Sequence, residues 1–240
     1  MKKWTRKIWI GTIIVLLGTI ALGGGSVEAA GKTTKKKAVY TIKTYKASYK
    51  GKKLTAKYQY DLPRLKGSSK AVKKINASLK KGDGSRLISG YNPKAKTNLI
   101  AIVKANDKNM RYKEEWHDIT KCKASYNKKG YISFKYSCQY YIGGVVNDYT
   151  YGRTYDLRTG KELTVADVIA GDEKQVKQKI VRALLKRVDN SAMRKEALKY
   201  ITLKDINFYL KDGKVVVCFG PYLPGGGLGK AEIVLDGNYE

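Results

Sequence analysis

The sequence predicts an α+β fold with antiparallel sheets and helices packed on one face, divided into two small subdomains. Strand-like segments cluster over residues 39–60 and 111–157, and helical patterns follow in blocks instead of alternating with each strand. The strand-like segments mix tyrosine, threonine and aliphatic residues with lysines, a composition typical of half-buried strands. We expect an N-terminal subdomain over residues 39–155 and a C-terminal one over residues 156–240.

The N-terminal half opens with two predicted strands, over residues 39–49 and 54–60. Asp61-Leu62-Pro63 is expected to end strand pairing, because proline has no N–H to donate. Ser68 can then cap a helix that ends at Gly82. Its apolar positions recur at steps of three and four residues: Ala71, Val72, Ile75 and Leu79. A second helix is expected to begin at residues 92–93, although residues 99–103 fit a strand equally well.

Residues 111–126 and 131–142 are expected to form a long hairpin. The turn sequence Asn127-Lys-Lys-Gly130 predicts a three-residue loop with Gly130 in the left-handed conformation, pairing Asn127 with Tyr131. This register places Cys122 opposite Tyr136.

Three cysteines follow the N-terminal segment, Cys122, Cys138 and Cys218. In an oxidising compartment Cys122 and Cys138 are a candidate disulfide. The hairpin makes them diagonal neighbours, about 7–8 Å apart. That separation exceeds the usual reach of a disulfide, so a bridge needs distortion or another register. Buried free thiols are the alternative.

The C-terminal half continues with a strand over residues 148–157, after a break at Gly143-Gly144. Thr164 begins a capping box and hence a short helix, Asp172 opens a longer helix, and Ser191 begins a brief third one. Strands over residues 207–211 and 214–219 are joined by a strong hairpin signal, Asp212-Gly213, and a last strand covers residues 231–235. The stripe that predicts the longer helix consists of Val176, Ile180, Val181, Leu184, Leu185 and Val188.

The N-terminus has the organisation of an export signal over residues 1–29. Four basic residues precede an uncharged, mostly apolar run over residues 8–22, and Val27-Glu28-Ala29 fits cleavage after Ala29. Residues 30–38 then form a basic tether. The run is short for a membrane span, which needs about 20 residues, and retention as an anchor is the alternative. We therefore expect a secreted or wall-associated protein, or one anchored to the membrane by the uncleaved segment.

The charge of the chain is its most unusual property. Cleavage removes four basic residues and one acidic residue, so 49 Lys and Arg and 20 Asp and Glu become 45 and 19, and the net charge falls from +29 to +26. Such an excess attracts polyanions in a salt-dependent way. Export makes wall polymers and lipid head groups more plausible partners than nucleic acid, which we do not expect. A basic surface that only maintains solubility is the alternative.

The inventory of reactive side chains predicts no enzyme, no cofactor and no metal site. His117 is the only histidine, too few for a catalytic metal centre, and Glu114 and Glu115 should point to opposite faces of a strand. Asp167 and Asp172 are explained by helix capping. A hydrolase that uses two carboxylates from separate parts of the chain stays open.

Tyrosines crowd near two glycine breaks, Gly143-Gly144 and Gly225-Gly226-Gly227. Exposed tyrosine rings offer flat faces for sugars and stiff anchors for proteins. The alternative is that these rings fill the core of a sheet. The predicted ligand-binding residues are Tyr140, Tyr141, Gly143, Gly144, Tyr149, Tyr151, Arg153, Tyr222 and Gly226.

Several blocks resemble the exported RsiV/PdaC-type domain pair of Gram-positive bacteria. They are Tyr131-Ile-Ser-Phe-Lys-Tyr, Tyr140-Tyr-Ile-Gly-Gly144, Tyr155-Asp-Leu-Arg-Thr-Gly-Lys-Glu-Leu-Thr-Val-Ala-Asp167, and residues 207–222 with the glycines after them. The resemblance implies a PdaC-like first subdomain and an RsiV-like second one. RsiV-like anti-sigma factors bind lysozyme through their outer domain, and PdaC-like proteins continue into a peptidoglycan deacetylase. Many relatives read Gly-Gly-Ala-His where this chain has Gly-Gly-Val-Val.

These observations together predict an exported, non-catalytic module that binds a cell-envelope ligand, either an anionic wall polymer or peptidoglycan. One alternative is a protein-binding module with an extracellular partner such as lysozyme. Another is an accessory to peptidoglycan deacetylation or a carboxylate-dependent hydrolase. Membrane contact is expected only through an uncleaved signal.

Overall fold

Five strands form the first sheet of this computed structural model, which describes residues 37–81, 92, 94–186, 199, 201–220 and 230–239. The strands lie in chain order, and neighbours are antiparallel except β2 and β3, which are parallel. Two helices separate β2 from β3, which provides the long crossover that a parallel pair needs. The strands are β1 (Tyr40–Lys50), β2 (Leu54–Leu65), β3 (Glu114–Lys128), β4 (Tyr131–Tyr141) and β5 (Asn147–Asp156).

Helices α1 (Lys70–Lys81) and α2 (Ala95–Asn106) cover one face of this sheet. The Ser69 hydroxyl accepts a hydrogen bond from Val72 N at 3.2 Å, so the cap of α1 lies one residue after the predicted Ser68. Leu99 and Val103 of α2 are buried against β2, which decides between the two predicted conformations in favour of a helix.

Three antiparallel strands form a second sheet: β6 (Asn207–Lys211), β7 (Lys214–Phe219) and β8 (Ala231–Asp236). One face of this sheet packs against the first sheet, opposite α1 and α2, and helix α3 (Glu173–Leu185) covers its other face. Gly152 of β5 permits the contact between the sheets, because a Cβ there would lie 2.0 Å from the Phe208 carbonyl oxygen.

The predicted α+β class is confirmed, with mainly antiparallel sheets and helices packed against them. The capping boxes at Thr164 and Asp172 are present, and they begin a 3₁₀ turn and α3 respectively. Residues 35–240 form one compact unit, and its clusters of buried side chains are built from residues 38–239. The division at residues 155 and 156 stays a prediction. Of the described helices, none is both long and apolar enough to cross a membrane.

The β3–β4 hairpin differs from its prediction. Lys128 pairs with Tyr131, so the loop has two residues, Lys129 and Gly130, both with positive φ angles (52° and 82°). This is the geometry that fits the twist of a tight hairpin. An irregularity between Ala124 and Tyr126 shifts the register back, and Cys122 faces Tyr136 as expected, for a different reason.

Strand pairing does not end at Asp61, as the sequence predicted, because β2 continues to Leu65 and pairs Pro63 with Ile42 of β1. Pairing between β2 and β3 stops at Tyr60, so Pro63 interrupts no ladder on that side. Asp61 fills the gap where the two strands separate: its buried carboxylate accepts hydrogen bonds from Cys122 N at 3.1 Å and Thr44 Oγ1 at 2.8 Å.

The candidate disulfide is absent, and all three cysteines are buried free thiols. Burial raises the pKa of Cys138 to about 12. Several predictions concern residues outside the described ranges: the export signal, residues 30–36 of the tether, the brief helix at Ser191, and the glycine-rich segment before Lys230.

Candidate anion-binding surface

The face of the first sheet opposite α1 and α2 carries a row of exposed lysines on β1, β2 and β3. Side chains alternate along a strand, so Ala56 and Tyr58 point to the helices while Lys57 between them points away. In the same way Cys122 is buried and its two neighbours are exposed. We call this set the lysine face; it consists of Lys46, Lys50, Lys57, Lys121 and Lys123.

The strand register gives the lysine face its dimensions. Lys46 pairs with Gln59, and Lys57 pairs with Ser48 on one side and His117 on the other. Six residues separate His117 from Lys123 along β3, a distance of about 20 Å at 3.3 Å per residue. The positive charges therefore follow a line that suits an extended ligand better than a compact one.

Few carboxylates offset these charges. Lys57 lies 3.8 Å from Glu115, and both side chains are about half exposed, an arrangement that stabilises little. For the other four lysines, the part of the chain that the structure describes supplies no ion pair. Many described carboxylates have structural roles instead, either bonded to backbone N–H groups or paired with other cations: Asp61, Asp107, Glu162, Asp172 and Glu232.

At the Lys123 end of the lysine face, the second sheet meets the first and forms a cleft of about 230 Å³. Lys135 lies at this junction and donates hydrogen bonds to Tyr209 OH at 3.0 Å and Glu232 Oε1 at 2.8 Å. Burial alone would lower the pKa of Lys135, but these bonds and the Glu232 charge raise it, which keeps the ammonium charged. The cleft is lined by Lys123, Ala124, Ser125, Lys135, Tyr209, Lys211 and Asp212.

A second groove of about 340 Å³ adjoins this cleft and shares Ala124, Ser125 and Asp212 with it. Its other lining residues are Lys37, Tyr40, Tyr126, Asn127 and Lys128. Lysines line both depressions together with Asp212, and of the lining tyrosines Tyr126 and Tyr209 are buried while Tyr40 is half-buried. The lysines can bind negative groups, and the ring of Tyr40 can stack on a flat, sugar-like surface.

Two of the predicted ligand-binding residues prove to be structural. Tyr151 is 2% exposed and stacks on Tyr136 with ring centroids 4.5 Å apart. The Arg153 side chain, 3% exposed, donates hydrogen bonds to both Glu162 carboxylate oxygens at 2.8 Å and to Ser78 O at 2.9 Å. Neither side chain can reach a ligand on the surface, so the prediction of a binding role is wrong for these two residues.

The other predicted binding residues divide into three groups. Tyr140, Tyr141 and Tyr149 are half-buried, and Tyr141 OH donates to Glu114 Oε2 at 3.1 Å. Gly143 and Gly144 are exposed and have positive φ angles. Tyr222 and Gly226 lie outside the described residues. A ligand-binding role for these seven residues stays a prediction.

The lysine face was not singled out from the sequence, although a signal for it exists. Lys121 and Lys123 flank a buried cysteine with the two-residue period of a strand. The alternation shows that both lysines lie on the side of β3 opposite Cys122. It does not show which side of the strand is exposed, because that depends on how the helices and the second sheet pack against the first sheet.

The described residues include His117 and two neighbouring carboxylates on β3, and the absence of an enzymatic activity stays a prediction. They contain no group of three or more His, Cys, Asp or Glu residues that could hold a metal ion. Glu114 accepts hydrogen bonds from Trp116 Nε1 and Tyr141 OH, both at 3.1 Å, while Glu115 pairs with Lys57. The two neighbouring carboxylates thus have separate partners.

Comparison with known proteins adds information about the fold. No family model and no curated protein matches the sequence. Among solved structures, a DUF3298 family member from Bacteroides fragilis is 15% identical with a TM-score of 0.58, and the match covers 85% of this chain and 91% of that one. A DUF3298 family protein from Pseudomonas aeruginosa is 12% identical with a TM-score of 0.55, covering 85% and 92%. At these identities the likeness shows a shared fold: the chain has the α+β architecture of DUF3298 proteins.

Proposed function

We propose that this protein is an exported, non-catalytic module that binds an anionic polymer of the cell envelope along the lysine face and the adjoining cleft. The observation that carries the proposal is a line of about 20 Å of exposed ammonium groups. Its described surroundings provide one weak ion pair, Lys57 with Glu115.

Electrostatics favours a polymer over a small anion. At physiological ionic strength the Debye length is about 8 Å, so charges at the two ends of the lysine face are screened from each other. A compact anion would feel only one or two of the lysines, whereas a chain of negative groups can contact all of them. Tyr40, a half-buried residue in the lining of the groove, offers a phenol ring to a polymer that contains sugars.

Two further considerations support the envelope as the location. The N-terminal sequence has the pattern that predicts an export signal. RsiV/PdaC-type proteins carry DUF3298 domains, the type found in the structural neighbours, which agrees with the resemblance in the sequence. The lysozyme-binding role of RsiV-like proteins remains an alternative, but lysozyme is basic and the lysine face would repel it.

Binding to purified cell walls tests the proposal with two triple variants of equal charge. Lys46→Gln, Lys121→Gln and Lys123→Gln remove three charges from the lysine face. Each lysine near an anionic surface contributes about 1 kcal/mol, so we expect about 100-fold weaker binding.

The matched control removes three exposed lysines from α1, on the opposite side of the sheet: Lys73→Gln, Lys74→Gln and Lys80→Gln. We expect the control to bind walls within about threefold of the unmodified protein, since these lysines lie well beyond one Debye length from the lysine face. Equal losses in both variants would show that net charge alone matters. Undiminished binding by the first variant would refute the proposal.

A further inference from the structure

One end of the first sheet exposes three apolar or aromatic side chains on neighbouring connections. Tyr112 is 75% exposed, Val145 69% and Val146 51%. His117 and Tyr141 are the last pair of the β3–β4 ladder, so Tyr112 before β3 and the two valines after β4 extend from the same end. We call Tyr112, Val145 and Val146 the apolar tip.

The backbone that presents the valines is defined by packing. Gly143 and Gly144 have φ angles of +91° and +84°, which L-residues with side chains rarely adopt. A Cβ on Gly143 would lie 3.3 Å from the ring of Trp116, which is 6% exposed. The loop that carries the valines is therefore held in place by its contact with the buried Trp116 ring. The fold itself keeps Val145 and Val146 exposed.

Cations surround the apolar tip. The parallel register of Leu54 with Glu114 brings the start of β2 to the same end of the sheet, and Lys53 Nζ donates to Arg111 O at 3.3 Å. Besides Lys50, which belongs to the lysine face, the exposed basic residues at this end are Lys52, Lys53, Lys108, Arg111 and Lys113.

The carboxylates described at this end have partners, and the most exposed of them, Glu115, lies 3.8 Å from Lys57. Asp107 accepts hydrogen bonds from the backbone N–H groups of Lys52, Lys53 and Leu54 at 2.6–2.9 Å. Glu114 accepts from Trp116 and Tyr141. The end as a whole is strongly positive with a small apolar centre.

We infer that the apolar tip and its surrounding cations dock on the surface of a lipid bilayer that contains anionic lipids. Basic side chains attract anionic head groups, and a tyrosine and two valines can enter the boundary between head groups and acyl chains. An anionic wall polymer could pair with the basic residues, but it has no apolar layer that the two valines could enter. Charge complementarity thus favours a bilayer, and the three residues of the apolar tip do not belong to the polymer-binding surface proposed above, which adjoins this end through Lys50.

The test measures co-sedimentation with vesicles of phosphatidylcholine alone or with 30% phosphatidylglycerol. The test uses a shortened protein that begins at Lys35, the first residue of the compact unit that contains all the described buried clusters. The N-terminal apolar run therefore cannot contribute to vesicle binding. We expect binding to the anionic vesicles and little to the neutral ones. Val145→Ser with Val146→Ser should weaken that binding about tenfold, since two partly inserted valines lose their apolar contact.

Val234→Ser is the matched control, because Val234 is 62% exposed on β8 of the second sheet. It should bind vesicles like the unmodified protein. Equal binding to neutral and anionic vesicles, or no effect of the double valine change, would overturn the inference and leave the tip to a protein partner.

Wall binding by the same double variant separates the two proposals. We expect it to be unchanged. If the double valine change weakened wall binding and left vesicle binding intact, the tip would belong to the polymer site and the lipid inference would be wrong. Loss of wall binding in the lysine-face variant alone bears only on the proposed function.

Discussion

Removing the charge of Glu162 should destabilise the protein strongly, because Arg153 would lose its counter-charge inside the core. The Arg153 side chain is 3% exposed, and its bonds to Glu162 are bidentate. Breaking a buried ion pair by removing one partner costs about 3–5 kcal/mol. The Glu162 side chain is 36% exposed, which admits water and sets the expected cost of Glu162→Gln at the lower end, about 3 kcal/mol.

The assay is thermal and urea unfolding of Glu162→Gln beside Glu173→Gln, which removes an exposed carboxylate from the first turn of α3. At about 2–4 °C per kcal/mol for a domain of this size, Glu162→Gln should lower Tm by roughly 6–12 °C. The control should lose no more than about 1 kcal/mol.

Acidification should narrow the difference between the unmodified protein and Glu162→Gln. Burial would raise the pKa of Glu162, but the hydrogen bonds and charge of Arg153 outweigh it and lower that pKa. The stabilisation is therefore present above the unfolded pKa of about 4.3 and is lost as the pH falls through the lower folded value. If Glu162→Gln were no more destabilising than Glu173→Gln, the Arg153 guanidinium would be hydrated and again a candidate for ligand binding.

Three further predictions concern the sheet contact, a turn and the cysteines. Gly152→Ala should destabilise by at least about 2 kcal/mol in urea unfolding, because the new methyl group would clash with the Phe208 carbonyl; a neutral effect would refute the close contact of the two sheets. Hydrogen bonds from three backbone N–H groups lower the pKa of Asp107, so Asp107→Asn should be less stable than the unmodified protein at pH 7. The two should converge as the pH falls below about 4, and a difference that did not depend on pH would contradict this assignment. The three cysteines should show the mass of free thiols and react with a maleimide only in denaturant; a mass lower by 2 Da would restore the disulfide.

The elements of the fold were predictable where local chemistry decides them. The capping residues of α3 and the Asp212-Gly213 hairpin have signatures within a few residues, and both are present. The parallel pairing of β2 with β3 had no local signature, because it depends on where the chain returns after two helices. The prediction that Pro63 ends strand pairing was wrong for the same reason. A proline disrupts a strand only where a neighbouring strand would need the N–H group that proline lacks.

The candidate site was less predictable than the fold. Tyr151 and Arg153 belong to a tyrosine-rich stretch that suits either a binding patch or a core, and only the position of α1 shows that they are covered. The sequence contains the lysines of β3, but it does not show that they share one exposed surface. That surface depends on which part of the first sheet the second sheet leaves uncovered. Composition led us to expect an anionic ligand, and packing shows which of the described lysines share one exposed surface.

The salt dependence of polymer binding tests the central claim most directly. The affinity of the protein for a soluble anionic wall polymer should be measured from 50 to about 300 mM salt and plotted as logarithms, for the unmodified protein and for Lys121→Gln with Lys123→Gln. Each cation that contacts a flexible polyanion contributes about 0.7 to the slope, so the double variant should have a slope shallower by about 1.4. Equal slopes for the two proteins would mean that these lysines do not contact the polymer, and the account of the lysine face would fail.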